Sequence, residues 1–201
     1  MDIVTVLRTG GDFNEAHVEW IQRQVGRQIV CLTDSKEEMR AVAKIPLTQN
    51  LGGWWSKMEM FRPDNLLTDF LYVDLDTVFL YGVPHEVFTL RETVVLSDMY
   101  GGEHINSGLM HIRAEDKHAV WEDWQRDPMG HMTEAGNGGD QKFLDKHFRD
   151  KKRWQGLFPN MVISFKADYQ KRGWHGGEQI VCFHGQPRPW AVMSEHPWIP
   201  Q

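Results

Sequence analysis

Apolar and polar positions in the first part of the chain follow two different periods. Residues 2–8 and 28–33 are short apolar runs, which is the pattern of buried strands. Residues 14–25, between them, repeat apolar side chains at helical spacing. The repeated positions are Val18, Ile21 and Val25. Strand, helix and strand in this order predict an α/β fold with a mainly parallel sheet.

The rest of the chain continues this alternation. Ser35 with Glu38 matches a capping box and predicts a short helix. Two glycines lead into a helical segment within residues 52–63, and Pro63 helps to end it. The remaining predicted elements are strands at 93–97, 107–112 and 179–183 and helices at 115–126 and 139–149. No repeat or linker interrupts the pattern, so one domain over residues 1–201 is predicted.

Residues 70–76 carry the most informative pattern. Four large apolar residues at 70–73 predict a strand buried on both faces, and Asp74 and Asp76 follow it. Ligands of open α/β sheets bind at the carboxyl ends of strands. Two neighbouring carboxylates repel each other unless a cation joins them, so we expect a divalent metal carrying a phosphate group. The alternative is a solvated Asp-X-Asp turn.

Two more polar segments follow predicted strands. One is the loop from Asp98 to the Asn-Ser-Gly segment at 106–108, and the other begins at His184. Because parallel strands bring their carboxyl ends together, we expect these groups to meet the two aspartates in one cleft. Two carboxylates and an imidazole suit Mn²⁺ or Mg²⁺. A single histidine is also often a structural hydrogen-bonding group, and that role stays open for His184.

Composition describes an ordinary globular protein. Of its 201 residues, 41% are hydrophobic and 25% are charged. No apolar run approaches the ~20 residues that a membrane span needs, and the first residues do not resemble a signal peptide. Cys31 and Cys182 lie in strand-like runs and predict buried free thiols. A cytoplasmic protein is therefore expected.

Charge argues against a general nucleic-acid binder. The formal net charge is −6, whereas nonspecific binding depends on neutralising phosphates. Lys151, Lys152 and Arg153 lie in the densest basic run. We interpret the run as a solvated loop after a helix, with contact to an anionic acceptor as the alternative.

Tryptophan is abundant, with nine copies, and most of these are expected in the core or in a groove wall. Trp54 and Trp55 are adjacent, so they cannot face the same way in a regular element. One of them is therefore predicted to be partly exposed. Exposed aromatic faces suit sugars or bases, although packing is the default role.

Four motifs, taken in order, resemble those of a GT-A-fold glycosyltransferase, and family 8 (the glycogenin- and galactosyltransferase-like group) in particular. They are Asp74-Leu75-Asp76, Asn106-Ser107-Gly108, Gly139-Asp140-Gln141 and the segment from His184 to Trp190. The segment at 53–57 is also similar to small bacterial and phage relatives. The resemblance covers about residues 3–190. It implies a single GT-A (Rossmann-like) domain with a mixed, mainly parallel central sheet flanked by helices.

The resemblance implies roles for the polar residues of these motifs. Asp74, Asp76 and His184 match metal ligands, with Asp76 the firmer ligand and Asp74 also close to the nucleotide ribose. Gly185 would let the backbone approach the diphosphate. Arg188 stands where the family usually has lysine, in a segment one residue shorter than usual, and could still grip a phosphate.

Further matched positions would hold the donor. Those for the base and ribose are Leu7, Arg8, Thr9 and Asp34, and those for the donor sugar are Asp98, Asn106 and Asp140. Lys57 matches a basic position near the diphosphate. No nucleophile is identifiable. Asp140 and Gln141 lie near the expected catalytic position. We assign both a role in positioning the sugar or the acceptor in preference to a role as nucleophile.

The activity that the resemblance implies is sugar transfer from a nucleoside-diphosphate sugar, UDP-linked in this family, with retention of configuration. The metal held by Asp76 would neutralise charge on the departing diphosphate, and Lys57 and Arg188 would add to this. The acceptor stays open. It could be a glycan, or a hydroxymethylated base in phage DNA within the host cytoplasm, in which case Lys151–Arg153 would line the DNA groove.

Two other classes of function stay open. A nucleotidyltransferase can also place aspartates on a Rossmann-like sheet, but it would more typically show a glycine-rich, basic signature after the first strand. Residues 8–11, Arg-Thr-Gly-Gly, match that signature poorly. A non-catalytic module that binds nucleotide sugars would hold the donor without turnover.

Overall fold

The computed structural model describes residues 1–201, with a seven-stranded sheet at its centre. The strands are β1 (Asp2–Leu7), β2 (Ile29–Thr33), β3 (Val42–Pro46), β4 (Phe70–Val73), β5 (Thr77–Phe79), β6 (Val94–Ser97), β7 (Ile105–Ile112), β8 (Lys152–Arg153), β9 (Val162–Ser164) and β10 (Ile180–Cys182). The central order is β3-β2-β1-β4-β7-β6-β8, so β3 and β8 are its edges. Only β7 runs against the others. The predicted α/β class with a mixed, mainly parallel sheet is confirmed.

Seven helices accompany the two sheets. They are α1 (Glu15–Val25), α2 (Ala114–Arg126), α3 (Pro128–Ala135), α4 (Gly139–Phe148), α5 (Trp154–Leu157), α6 (Gln170–Arg172) and α7 (Pro189–Val192). Four 3₁₀ segments and one π turn complete the helical structure: Gly53–Phe61, Pro63–Asn65, His85–Thr89 and Gly136–Gly138, and Phe165–Tyr169. None of the helices has the length and apolarity needed to cross a bilayer.

Strand β4 is buried on both faces, as its continuous apolar run predicts. Leu71 and Val73 pack into the core on one side of the sheet, and Phe70 and Tyr72 pack into the core on the other. Successive side chains of a strand point to opposite faces, so a strand with a core on each side must be apolar throughout. The first polar residue after it, Asp74, lies at the carboxyl end of the strand.

Strand β4 ends at Val73, the last residue of the apolar run. Thr77 N donates to Asp74 O (3.1 Å), and this turn directs the chain out of the central sheet. Strand β5 follows and joins a separate small sheet of order β5-β10-β9. The predicted strand at 179–183 is therefore β10 of this second sheet, antiparallel to β5 and parallel to β9.

The predicted short helix after Ser35 is wrong. Ser35 Oγ accepts a hydrogen bond from Glu37 N (3.1 Å) and donates to Glu15, which makes a local turn in place of a helix cap. The chain then enters edge strand β3, which the sequence pattern did not predict because Lys44 and Pro46 are poor strand formers. Helix α3 was also not predicted.

Both cysteines are buried free thiols, as predicted. Cys31 lies in β2 and Cys182 in β10, so they belong to different sheets. Neither has a disulfide partner.

Candidate active site

A cavity of about 680 Å³ opens where β4 ends. It collects acidic, basic and amide side chains from β4, β7, α4, the 3₁₀ helix Gly53–Phe61 and the segment after β10. The predicted site residues that line it are Leu7, Arg8, Lys57, Asp74, Asp76, Asn106, Asp140, Gln141, His184, Gly185 and Arg188. Thr9, Asp34 and Asp98 are not among the lining residues.

The Asn-Ser-Gly segment reaches the cavity because β7 is antiparallel. The beginning of β7 lies beside the end of β4, and Asp74 N donates to Gly108 O (2.9 Å). The loop from Asp98 follows β6, which is parallel to β4 as expected, but His184 follows a strand of the separate small sheet. A Cβ on Gly108 would lie 3.2 Å from Asp74 Oδ2 and 3.0 Å from Asn106 Oδ1, so this close approach favours glycine.

Lys57 joins two carboxylates at the cavity wall. Its Nζ lies 2.8 Å from Asp74 Oδ1 and 3.4 Å from Asp140 Oδ2. Burial lowers the pKa of Lys57, but Asp140 and Asp74 outweigh burial and raise it, so the side chain is a cation. Ser107 Oγ donates to Asp140 Oδ2 (2.8 Å). Burial raises the pKa of Asp140, while Lys57 opposes that shift.

The 3₁₀ helix Gly53–Phe61 places Trp54 and Lys57 on the cavity. Side chains three residues apart eclipse each other in such a helix, so these two share a face and both line the cavity. Trp55 and Met58 share a different, buried face. Trp55 stacks on Trp124 with ring centroids 5.4 Å apart. Trp54 is 52% exposed, which confirms that one of the adjacent tryptophans is partly exposed.

Asp76 is buried against Arg188. The Arg188 Nη1 atom contacts Asp76 Oδ2, Nη2 lies 3.2 Å from Asp12 Oδ2, and the guanidinium carbon lies 4.6 Å from the centroid of the Phe13 ring. Burial and the charge of Asp74 raise the pKa of Asp76 to about 7, in spite of the Arg188 contact. Burial therefore disfavours the charged form of Asp76, and a cation bound next to it would oppose that shift.

His184 lines the same cavity, and its ring contacts two neighbouring side chains. Its Nε2 lies 2.6 Å from Ser164 Oγ, and its ring meets the Tyr100 ring edge-on at 5.2 Å. Burial, together with the nearby Lys166 cation, lowers the pKa of His184. The imidazole is therefore neutral near pH 7, as a metal ligand must be.

The residues present fit a hard divalent ion in their chemistry. Asp74, Asp76 and His184 supply two carboxylates and a neutral imidazole to one cavity. In the observed arrangement, however, no three His, Cys, Asp or Glu side chains form a compact cluster that could hold a metal. The carboxylates pair with Lys57 and Arg188 instead.

The predicted residues outside the cavity lining form local contacts. Asp34 Oδ1 and Oδ2 accept hydrogen bonds from Thr9 N (2.8 Å) and Thr9 Oγ1 (3.0 Å), and Arg8 Nε lies 3.4 Å from Asp34 Oδ2. These three residues join the ends of β1 and β2. Asp98 Oδ1 accepts from Tyr100 N (3.0 Å), which stabilises the turn after β6.

The basic run lies at the end of α4, and its cations contact carboxylates or backbone carbonyls. Lys151 Nζ lies 2.6 Å from Asp116 Oδ1, and Lys152 Nζ lies 4.0 Å from Glu92 Oε1. The Arg153 guanidinium donates to the carbonyls of Phe148 (3.0 Å) and Lys151 (2.6 Å). The run follows α4 as predicted, but Lys152 and Arg153 form edge strand β8 of the central sheet, so the interpretation as a solvated loop is wrong for these two residues.

Sequence reasoning did not identify Asp12, Phe13 or Ser164 as site residues. Asp12 and Phe13 both contact the Arg188 guanidinium. Ser164 contacts His184 across two strands of the small sheet. A single Ser, Asp or Phe has no spacing pattern that would single it out, so these contacts required the tertiary structure.

The fold matches that of solved glycosyltransferases. GlyE from Streptococcus pneumoniae TIGR4 superposes with a TM-score of 0.63 at 15% identity, covering 94% of this chain and 56% of GlyE. LgtC, described as a galactosyltransferase in complex with donor and acceptor sugar analogs, gives a TM-score of 0.63 at 11% identity, covering 94% and 89%. No family model and no curated protein matches the sequence.

These comparisons establish the class of fold. The chain has a GT-A-like glycosyltransferase fold, so the resemblance seen in the four motifs is confirmed at the level of the fold. The chain spans little more than half the length of GlyE. At 10–16% identity the shared fold does not by itself assign an activity to this chain.

Proposed function

We propose that this protein is a metal-dependent glycosyltransferase that moves a sugar from a nucleoside-diphosphate sugar to an acceptor hydroxyl. The observation that carries the proposal is one cavity, in a glycosyltransferase fold, that pairs Asp74 and Asp76 with the cations Lys57 and Arg188. A donor diphosphate needs positive charge and its metal needs carboxylates. This cavity offers both kinds of partner.

Asp74, Asp76 and His184 are the residues that would hold Mn²⁺ or Mg²⁺. The bound ion supplies Lewis-acid neutralisation of the charge on a departing diphosphate. The imidazole of His184 would be the third ligand, and its contact with Ser164 Oγ would orient it. UDP as the nucleotide and retention of configuration are further parts of the proposal, supported by the resemblance to family 8.

Lys57 and Arg188 would stabilise the diphosphate as it leaves. Both cations are already held in the cavity by carboxylates, so little reorganisation is needed when charge develops nearby. Arg188 can donate to two phosphate oxygens at once. Asp140, fixed by Lys57 and Ser107, would orient the donor sugar.

The first test is nucleotide binding, measured as thermal stability with UDP, GDP, CDP, ADP or dTDP, each with and without Mn²⁺. A ligand at ~100 times its Kd adds about 2.7 kcal/mol to the unfolding free energy. We expect one nucleotide to stabilise the protein in the presence of Mn²⁺, and Asp76→Asn to abolish that dependence. Asp150→Asn, an exposed carboxylate outside the cavity, is the matched control.

Product analysis then separates the classes of function. A glycosyltransferase releases a nucleoside diphosphate from a nucleotide sugar, whereas a nucleotidyltransferase releases pyrophosphate from a triphosphate. A non-catalytic binding module would be stabilised by the donor but would release neither product. Absence of stabilisation by every diphosphate would count against the proposal as a whole.

A further inference from the structure

Trp54 leaves half of its surface open on the wall of the main cavity. Its neighbour Trp55 is 7% exposed and packs on Trp124, so the fold can bury an indole in this region. Exposing a large aromatic side chain gives up hydrophobic stabilisation, and in a concave site it commonly marks a ligand contact. Trp54 therefore calls for an explanation other than packing.

Gly139 keeps the Trp54 indole against the cavity wall. A Cβ at position 139 would lie 2.6 Å from Trp54 Nε1 and 2.8 Å from Cε2, closer than any side chain allows. Gly139 also has a φ of +58°, which disfavours other residues. Both the space and the backbone conformation thus favour glycine, and the result is an indole fixed beside Asp140, the proposed sugar-orienting residue.

Trp54 shares the cavity wall with one cation and two amide-bearing residues. Lys57 lies on the same face of its 3₁₀ helix and is paired with Asp74 and Asp140, and Asn137 and Gln141 offer uncharged amide groups. The charge of Asp140 is offset by Lys57 at 3.4 Å and by the Ser107 hydroxyl. The guanidinium of Arg188, by contrast, lies with Asp12 and Phe13 on the segment after β1. The cavity therefore carries two cations that could face a phosphate, Lys57 and Arg188, and an exposed indole with amide-bearing residues in the same lining.

We propose that Trp54 is the stacking platform for an uncharged saccharide acceptor, with the Asn137 and Gln141 amides bonding its hydroxyl groups. This inference rests on the proposed function. A saccharide ring has an apolar C–H face and a polar rim, which matches an indole flanked by amides. A DNA acceptor fits less well, because the net charge is −6 and the basic run at 151–153 is engaged in contacts of its own.

The experiment compares wild type with Trp54→Ala, Trp54→Phe and the control Tyr81→Ala, an exposed aromatic outside the main cavity. Acceptors are glucose, galactose, N-acetylglucosamine, lactose, maltose and duplex DNA containing 5-hydroxymethylcytosine. The rate of UDP release from UDP-glucose and UDP-galactose is measured with each. Binding is measured separately by the fluorescence change on saccharide titration, taking the difference between wild type and Trp54→Phe.

We expect at least one saccharide to accelerate UDP release. Trp54→Ala should raise the KM for that saccharide at least tenfold and Trp54→Phe by less, while nucleotide-induced stabilisation stays unchanged. Tyr81→Ala should behave as wild type. An unchanged acceptor KM in Trp54→Ala, a loss of nucleotide binding instead, acceleration by DNA alone, or no acceleration by any acceptor while donor binds would each overturn this inference. Failure of wild type to bind any nucleotide would instead refute the proposed function.

Discussion

The ammonium nitrogen of Lys57 lies 2.8 Å from Asp74 Oδ1, with both side chains largely removed from solvent. Asp140 is 3.4 Å away on the other side, so one cation serves two carboxylates. Removing one partner of a buried ion pair leaves an uncompensated charge, which is far costlier than losing a surface pair. This cluster is therefore a structural element of the cavity as well as a candidate part of its chemistry.

Lys57→Met should destabilise the protein by about 3 kcal/mol, because Asp74 and Asp140 lose their shared cation. Urea unfolding followed by fluorescence gives the free energy. Adding Asp140→Asn should recover part of the loss, since it removes one of the stranded charges. Lys151→Met, which breaks the more exposed pair with Asp116, should cost about 0–1 kcal/mol. Equal losses at both lysines would contradict this account.

Gly139→Ala should displace the Trp54 indole. The backbone of Gly139, with φ +58° and ψ −152°, lies in a region that is essentially restricted to glycine, so an alanine costs about 1–3 kcal/mol there, and the added methyl group occupies the place of the indole. Gly26→Ala is the matched control, because Gly26 has a φ of +68° and open space around it. Gly139→Ala should lose more stability than Gly26→Ala, because only position 139 combines a clash with a backbone conformation restricted to glycine. Only Gly139→Ala should increase the quenching of tryptophan fluorescence by acrylamide, and equal quenching would show that the indole stayed in place.

Stability should fall on acidification through the protonation of histidines that the fold keeps neutral. His111 is buried in β7 and its Nδ1 donates to Glu92 O (2.7 Å); burial lowers its pKa. Below pH ~6.5 the unfolded chain therefore binds a proton at this histidine that the folded chain does not bind. The unfolding free energy consequently decreases as pH falls below that value.

His111→Gln isolates this contribution. The variant should lose stability at pH 7.5, where the packed imidazole is missing, but show a shallower decrease between pH 6.5 and pH 5 than wild type. Urea unfolding at several pH values provides the comparison. Parallel curves for the two proteins would assign the acid sensitivity to other groups.

Glu59 should be critical for the segment after β3. It is fully buried, and its carboxylate accepts hydrogen bonds from Thr48 N (2.6 Å) and Gln49 N (3.0 Å) while Arg62 Nη1 lies 3.3 Å away. Glu59→Gln would turn an NH₂ group toward one of these donors and is expected to cost about 2–3 kcal/mol. Chemical denaturation measures the loss, and a change under 0.5 kcal/mol, the size of an ordinary surface effect, would contradict it.

Local patterns were sufficient to predict the main elements of the fold. The apolar run of β4 reports burial on both faces, and the abrupt change to Asp74 marks the end of the strand. Strand direction is not encoded in this way. Nothing in residues 106–108 indicates that β7 is antiparallel, yet that direction brings Asn106 to the cavity at the start of its strand.

Contacts between distant residues were beyond the reach of pattern reasoning. Arg188 and Asp76 are 112 positions apart, and their contact depends on the small sheet that brings β5 and β10 together. The passage of the chain from β4 to β5 has the same origin, because a turn of three residues moves it from one sheet to another. Both features follow from tertiary packing and not from any local preference.

The two edge strands of the central sheet are poorly suited to pairing with a strand of another copy of the chain. Strand β3 carries Lys44 and ends at Pro46, which has no N–H to offer, and β8 consists of only Lys152 and Arg153. Charged, very short or proline-containing edges are poor templates for an incoming strand. Replacing Lys44 and Pro46 with valine would lengthen a flat apolar edge, and the expected penalty is aggregation at high concentration with little change in the native fold.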